Sequence, residues 1–366
     1  MLYLITSASG LQNVYGQDGF RNVVQSLNTL AAGGGIAVRF LDDKQSMQGA
    51  TPAQSQDPVG LRTAWQQIGV RLNLLQDYAV IVGDQRVFPS FSVANPVTDR
   101  SIDPDSNVLT DNPYGDFNTP QPSDCIQPQL AMGRIQAGTS DGAQDLCNIL
   151  NWISLRSQGP TRTGYVEVTS RQWQDTSSFV LSALASSQRV FVSPDSRISA
   201  SNAASLDCKY LYCNLHGFVN NPAWMGYDQG LAYPVPAITP DAFQSQYVSG
   251  TVVFTEACYG LAVDGKARSS SCALSLLAAG AGAVVGSAGL AFGTATATPQ
   301  NLIDADVMAR AFFNNALLTG QVRPTVGRCL AAARSALVQT ASSADVFVKK
   351  TLLAFQILGD PSYALS

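Results

Sequence analysis

Short apolar runs alternate with stretches of helical spacing along most of this chain. Leu2–Thr6 and Ile36–Leu41 are β-rich runs. Between them, Gly19–Ala32 places Phe20, Val23, Val24, Leu27 and Leu30 on one helical face and stops at Gly33-Gly34-Gly35. Leu61–Leu75 repeats the helical spacing, and Tyr78–Val82 is a wholly apolar strand closing on Gly83-Asp84. This βαβα rhythm predicts a parallel sheet with helices on its faces. Residues 95–128, rich in Asp, Pro and Asn, predict a long connection that is functional or mobile. Strand Gln129–Ile135 and helix Asp141–Leu155 follow, and Gln158-Gly159-Pro160 marks the best internal boundary. A second series then reads strand Gly164–Thr169, helix Thr176–Ser187, and strands Arg189–Val192, Tyr210–Leu215 and Thr251–Ala257. Helix Cys272–Ala279, strand Gly282–Ser287, helices at about 304–318 and 325–341 and a terminal stretch Thr351–Leu358 complete it. The expected domains are an N-terminal α/β subdomain (1–160) and a second subdomain (161–366).

Composition narrows the function. Of 366 residues, 46% are hydrophobic and only 13% charged, so Ser, Thr, Gln and Asn must build much of the surface. The net charge of −4 gives no basic footprint, which argues against a nucleic-acid binder. No apolar run is long enough to span a bilayer, so no membrane partner is expected. Met1–Thr6 lacks the basic and apolar regions of a signal peptide and reads as the first strand. Seven cysteines, an odd number without CxxC spacing, argue against a zinc site and favour a reducing compartment. The expected location is the cytoplasm, or outside the cell if a leader has been removed.

The chemistry concentrates in two units of similar design. The only histidine, His216, follows the apolar run Tyr210–Leu215 and precedes Gly217; Cys258 follows Thr251–Ala257 and precedes Tyr259-Gly260. A thiol needs a base to act as a nucleophile near neutral pH, and imidazole is the usual partner. In an open parallel sheet, ligands bind beyond the carboxyl ends of strands. Neighbouring strands would bring both side chains to one edge, with the Gly217 and Cys258 N–H groups as oxyanion donors. Taken singly, the histidine reads as a structural residue and the cysteine as a buried thiol. Their shared position at strand ends beside glycine favours the catalytic reading.

The pattern resembles the caspase–gingipain–legumain superfamily of cysteine peptidases, in which a His-Gly unit precedes a strand-end Ala-Cys unit. In caspases the cysteine follows Gln-Ala; here Glu256 replaces that Gln. The gingipain family is the nearer likeness and covers nearly the whole chain. Tyr78–Asp84, Leu109-Thr110-Asp111 with Tyr114-Gly115-Asp116, and Leu130–Arg134 resemble its N-terminal segments. Trp224 trails the His-Gly unit as in gingipains, and Gly359-Asp360-Pro361-Ser362 resembles the segment that closes their catalytic domain. The resemblance implies an α/β, caspase-like α-β-α sandwich and endopeptidase activity on protein or peptide substrates without a required cofactor. It implies Cys258 as nucleophile, His216 as general base and then acid, and Gly217 and Cys258 as the oxyanion site. Where gingipains carry a Glu thought to orient the histidine, this sequence has Ser170-Arg171-Gln172-Trp173-Gln174-Asp175. Asp175, a backbone carbonyl, or no third group at all fills that role. Two other readings keep the same residues: a catalytically silent binding or scaffold module, and a thiol acyl transferase.

Specificity is expected at Glu256. It lies two positions before Cys258 and so on the same side of a strand. In several superfamily members that position lines the primary pocket, and a carboxylate there suits Arg or Lys before the scissile bond. Its alternative is an ion pair with Lys266 or Arg268. Asp175 has three readings, a second pocket acid, the histidine orienter or a helix cap, and Trp224 is placed at the pocket by the resemblance. Asp103, Asp105, Asp111 and Asp116 offer oxygen ligands, and gingipain-like enzymes bind Ca2+, but their spacing is not that of an EF-hand loop. Solvated turn residues are the favoured account.

Overall fold

The computed structural model describes the chain except residues 70–71, 74–75, 156–161, 185–187, 295–300, 319–323 and 366. The first half runs β1 (Leu2–Thr6), α1 (Ala8–Ala32), β2 (Ile36–Phe40), α2 (Pro58–Gly69), β3 (Tyr78–Val82), β4 (Phe91–Ala94), β5 (Asn107–Thr110), α3 (Asn112–Gly115), β6 (Ala131–Ile135) and α4 (Ala143–Leu155). The second half begins with β7 (Tyr165–Ser170), α5 (Gln174–Val180), β8 (Gln188–Ser193), β9 (Tyr210–Asn214), β10 (Trp224–Gly226), β11 (Val235–Ile238), α6 (Ser245–Val248) and β12 (Val252–Thr255). It ends with α7 (Cys272–Ala278), β13 (Ala283–Ser287), α8 (Asp304–Ala316), α9 (Val326–Thr340), α10 (Val346–Ala354) and β14 (Phe355–Gly359).

Ten strands form one sheet in the order β2-β1-β3-β6-β14-β13-β12-β9-β7-β8. The first four are parallel to one another, as are the last five. The last strand, β14, lies between the two sets, antiparallel to β13 and touching β6 through Leu358 and Arg134. The end of the chain is thus the seam that makes one sheet of two halves. The expected boundary at 160 lies outside the described residues.

Alternation along β12 shows why the sheet carries two helical layers. Val253 and Ala257 join an apolar cluster with α1, α4 and α7, whereas Val252 and Phe254 join a second cluster with α8 and α9. Phe254 packs against Phe312, Phe313 and Phe355 at 5.3, 6.1 and 5.7 Å between ring centres. A strand buried on both faces reads as a continuous apolar run, which is what Val252–Phe254 is.

The first strand-order reversal, at β1, is not a ligand site. Asp42 fills it: its carboxylate accepts from the N–H groups of Ala8 and Ser9 and from the Ser9 hydroxyl at 2.6–2.9 Å. A carboxylate at the positive end of α1 occupies the place an anionic ligand would take. Although burial opposes it, these donors hold the Asp42 carboxyl below its usual range.

Two expectations are corrected, and the unassigned terminal stretch is resolved. The 95–128 connection is structured, because β5 pairs antiparallel with β4 and α3 follows. Its acids are not solvated turn residues: Asp103, Asp111 and Asp116 are buried. Lys350 of α10, 0% exposed, inserts its ammonium between Asp103 and Asp105, and Arg134 pairs with Asp111 at 2.7 Å. Asp116 instead accepts from the backbone and hydroxyl of Thr119. The terminal stretch 351–358 is half helix and half strand, because the apolar run turns at Phe355 to enter the sheet.

The buried Lys350 carries a stability prediction. Burial opposes ionisation of Asp103, but the Lys350 ammonium holds its carboxyl below the usual range. The contribution is therefore present above the unfolded carboxyl pKa near 4 and lost as pH falls below it. Lys350→Met leaves a buried carboxylate unpaired and should cost about 3–5 kcal/mol in urea unfolding near neutral pH. Adding Asp103→Asn should recover part of that loss.

Candidate active site

Parallel pairing of β9 with β12 aligns Cys213 with Thr255. His216 and Cys258 therefore leave adjacent strands at the same sheet edge. The approach is closest at Gly217, where a Cβ would sit 1.8 Å from the Cys258 carbonyl oxygen. Only glycine fits there. Among the described residues, neither the Gly217 nor the Cys258 N–H donates a hydrogen bond to another residue. Gly217 is buried and Cys258 half-buried, and neighbouring amides without a protein acceptor can serve a developing oxyanion.

Cys258 is the one cysteine of the seven that is not buried. Burial pushes the Cys125, Cys208 and Cys329 thiols to about 12, so their chemistry is inert. Burial also raises the Cys258 thiol, opposed by the Ala291 N–H, whose nitrogen lies 3.5 Å from Sγ. The turn that presents it is strained. Tyr259 has φ +55°, and its N–H is held by the Gly289 carbonyl at 2.7 Å. Its hydroxyl donates to Asp105 at 3.0 Å, which links the turn to the Lys350 ion pairs.

His216 is fixed by backbone and ring contacts. Its N–H and C=O exchange 2.8 Å bonds with Met225 of β10. Trp173 packs on the imidazole at 4.4 Å between centres, with Tyr227 edge-on at 6.1 Å. Burial lowers its pKa below the ordinary 6.5. At neutral pH the imidazole is therefore uncharged, and Cys258 rests as a thiol.

The residue that touches the imidazole is Gln172, whose side-chain nitrogen is assigned 2.8 Å from Nε2. Rotating the amide by half a turn presents its oxygen as acceptor instead. Either way Nε2 is engaged, and Nδ1 has no hydrogen-bond partner among the described residues. Sequence reasoning named the segment but weighed Asp175 rather than Gln172. The available signal was position: Gln172 is the second residue after β7, next to β9 in the sheet. Asp175 lies exposed in the first turn of α5, and no hydrogen bond joins it to His216 among the described residues. Trp224 is buried on β10 beneath the cleft, with its ring 6.2 Å from Phe243.

Glu256 is 6% exposed and faces the α8 layer. It accepts a 2.5 Å bond from the Tyr212 hydroxyl. Beside it is Asp306, 1% exposed, one oxygen of which accepts from Thr294 N–H at 2.6 Å. The other oxygen of Asp306 has no hydrogen-bond partner. Burial, then each other's proximity, keeps Glu256 well above the usual carboxylate range; burial likewise raises Asp306. Neither Lys266 nor Arg268 forms an ion pair with Glu256 among the described residues. Exposed Gly293 lies over both acids, and a Cβ there would be 3.4–3.6 Å from their oxygens. Sequence reasoning missed Asp306, which is 50 positions from Glu256 along the chain. No group of three or more metal-ligating side chains assembles among the described residues. Asp103, Asp105 and Asp111 are committed to Lys350 and Arg134 instead.

A strand-end thiol, a neutral imidazole on the adjoining strand and two free amides are the equipment of a cysteine peptidase. The chain belongs to peptidase family C25, whose model matches residues 14–366, and is thus a cysteine-type peptidase of gingipain kind. It shares its fold with solved gingipain structures. The Arg-specific cysteine proteinase gingipain R is 12% identical, with a TM-score of 0.62 over 99% of this chain and 77% of that one. The complex of the pro- and mature domains of RgpB from Porphyromonas gingivalis is 13% identical, with a TM-score of 0.61 over 99% and 79%. A structure described as a protease is 12% identical, with a TM-score of 0.62 over 99% and 78%. Among the curated proteins, none matches it.

Gln172 yields a pH prediction. Gln172→Glu places a carboxylate beside the imidazolium and should raise the His216 pKa by about one unit. Because the neutral imidazole is the base, the acidic limb of kcat/KM should move upward in pH by the same amount. Gln172→Ala should lower kcat about tenfold with little change in KM. An unmoved limb would mean that the Gln172–His216 contact has no part in turnover.

Proposed function

We propose that this peptidase is an endopeptidase that cleaves after Arg or Lys, with Cys258 as nucleophile and His216 as its base. The single observation that carries the dyad is the pairing of β9 with β12, which directs the only histidine and the only incompletely buried cysteine to one edge. With the Gln172 amide turned so that its oxygen accepts from Nε2–H, Nδ1 is the free acceptor, and the thiol loses its proton to it as sulfur attacks the scissile carbonyl. The oxyanion draws on the Gly217 and Cys258 amides. His216 then protonates the leaving amine, and water activated by the same imidazole releases the acyl group from sulfur. No step requires a metal.

Specificity rests on Glu256 with Asp306. Without a cationic partner among the described residues, Glu256 keeps its proton beside Asp306, and an arriving cation favours its release and the ionised pair. An Arg or Lys side chain supplies that charge, and Gly293 leaves room above the pair. A neutral side chain leaves the charge unpaired, which is the basis of discrimination.

The test is turnover of fluorogenic peptides that differ only in the residue before the cleaved bond. Wild-type protein should prefer Arg or Lys over Gln and Leu, with Cys258→Ala and His216→Ala inactive. Glu256→Gln should reduce that preference at least about tenfold. Preference for a neutral residue, or one indifferent to Glu256→Gln, would remove Glu256 from the pocket.

A further inference from the structure

A second cavity, of about 130 Å3, adjoins the site and is lined by the segment after Cys258 together with β6 and β14. Its walls include Val219, Leu261 and Val263, and its polar lining includes Gln136 and Lys266. Lys266 also lines the cleft containing Gly217, Phe218 and Cys258, so the cavity continues from the candidate nucleophile. The loop after Cys258 is pinned there, because Thr139 N–H donates to the Lys266 carbonyl at 2.8 Å.

Two unspent donors face this space. Gln136 is 1% exposed, and its Nε2 has no hydrogen-bond partner. The Lys266 ammonium is half-buried and has no ion-pair partner among the described residues. Burial lowers its pKa. The other charged lining groups are Arg134, Asp111 and Asp264. Arg134 is satisfied by Asp111, Ser90 and two carbonyls. Asp264 is exposed, and its charge also acts on Arg86. What remains is an apolar-walled chamber with a buried amide donor and a free cation. Its complement is a carboxylate on a short aliphatic stem.

We propose that this cavity is a subsite for the leaving side of the substrate, binding a Glu or Asp side chain within the first few residues after the scissile bond. The assignment rests on the peptidase reading above. It follows from position: the basic residue before the bond is directed to the α8 face by Glu256, and the cleft toward Lys266 lies on the α7 face. Phe218 in the cleft and Val219 in the cavity wall, 45% and 47% exposed, give the two spaces a shared apolar rim.

Internally quenched peptides with Arg at the cleaved position, and Glu, Gln or Lys at the second and third positions beyond it, test this directly. The kcat/KM ratio of Glu to Gln peptides should be about tenfold in wild type. It should fall toward unity in Lys266→Met and partly in Gln136→Leu. A flat ratio in wild type, or one that survives Lys266→Met, overturns the subsite. Calorimetry of the corresponding leaving-side peptides with Cys258→Ala protein needs no turnover, which separates this inference from the reading beneath it. Tighter binding of the Glu than of the Gln peptide, lost with Lys266→Met, supports the subsite even if cleavage fails. Equal or absent binding of the two refutes it.

Discussion

The approach of Gly217 to the Cys258 carbonyl governs the rest of the site. It is possible because β9 and β12 pair in parallel with Cys213 opposite Thr255, and because residue 217 has no side chain. The same approach leaves two neighbouring amides without an acceptor in another described residue, and sets the residue after His216 against the Cys258 turn. A shift of one residue in that register would turn Glu256 to the other layer and remove the acid from Asp306. The placement of Cys258, the two amides and Glu256 is therefore one property of one strand pair.

Around that pair, a chain poor in charge places several of its ions inside. Lys350 gathers the 95–128 segment, the Cys258 turn through Asp105 and Tyr259, and α10 into one buried cluster. Arg134 does the same where β6 meets β14. Such pairs add little net stability against apolar replacements, but breaking one leaves an uncompensated charge. Their effect is to specify which loop lies where. The contrast is with Glu256 and Asp306, which have no cation from the protein among the described residues. Where the structural carboxylates are neutralised by buried cations, this pair is neutralised by the proton that Glu256 retains.

Much of the core was legible in the sequence because fully buried strands read as apolar runs: Tyr78–Val82, Tyr210–Asn214 and Val252–Thr255 are found where the pattern puts them. His216 and Cys258 were legible as well, since they punctuate two such runs beside glycine. What escaped depends on contacts between distant segments. Gln172 is one polar residue among several after β7, and only packing against β9 singles it out. Lys350 and Asp103 lie too far apart in the chain for spacing to connect them, so the acids read as solvated. Phe355–Gly359 belongs to a sheet only because a gap between the two halves receives it. Local pattern carries the elements, and tertiary contact decides which side chains of equal local character meet.

The claim at the centre of this account is that Cys258 attacks a carbonyl beside a bound cationic side chain. Alkylation by a peptidyl-arginine chloromethyl ketone, followed by mass spectrometry of the digested protein, tests it most directly. The account predicts one stoichiometric adduct on Cys258, slowed by His216→Ala and absent with a leucine analogue of the reagent. Inactivation with Cys258 unmodified, or equal labelling by the arginine and leucine reagents, would contradict it.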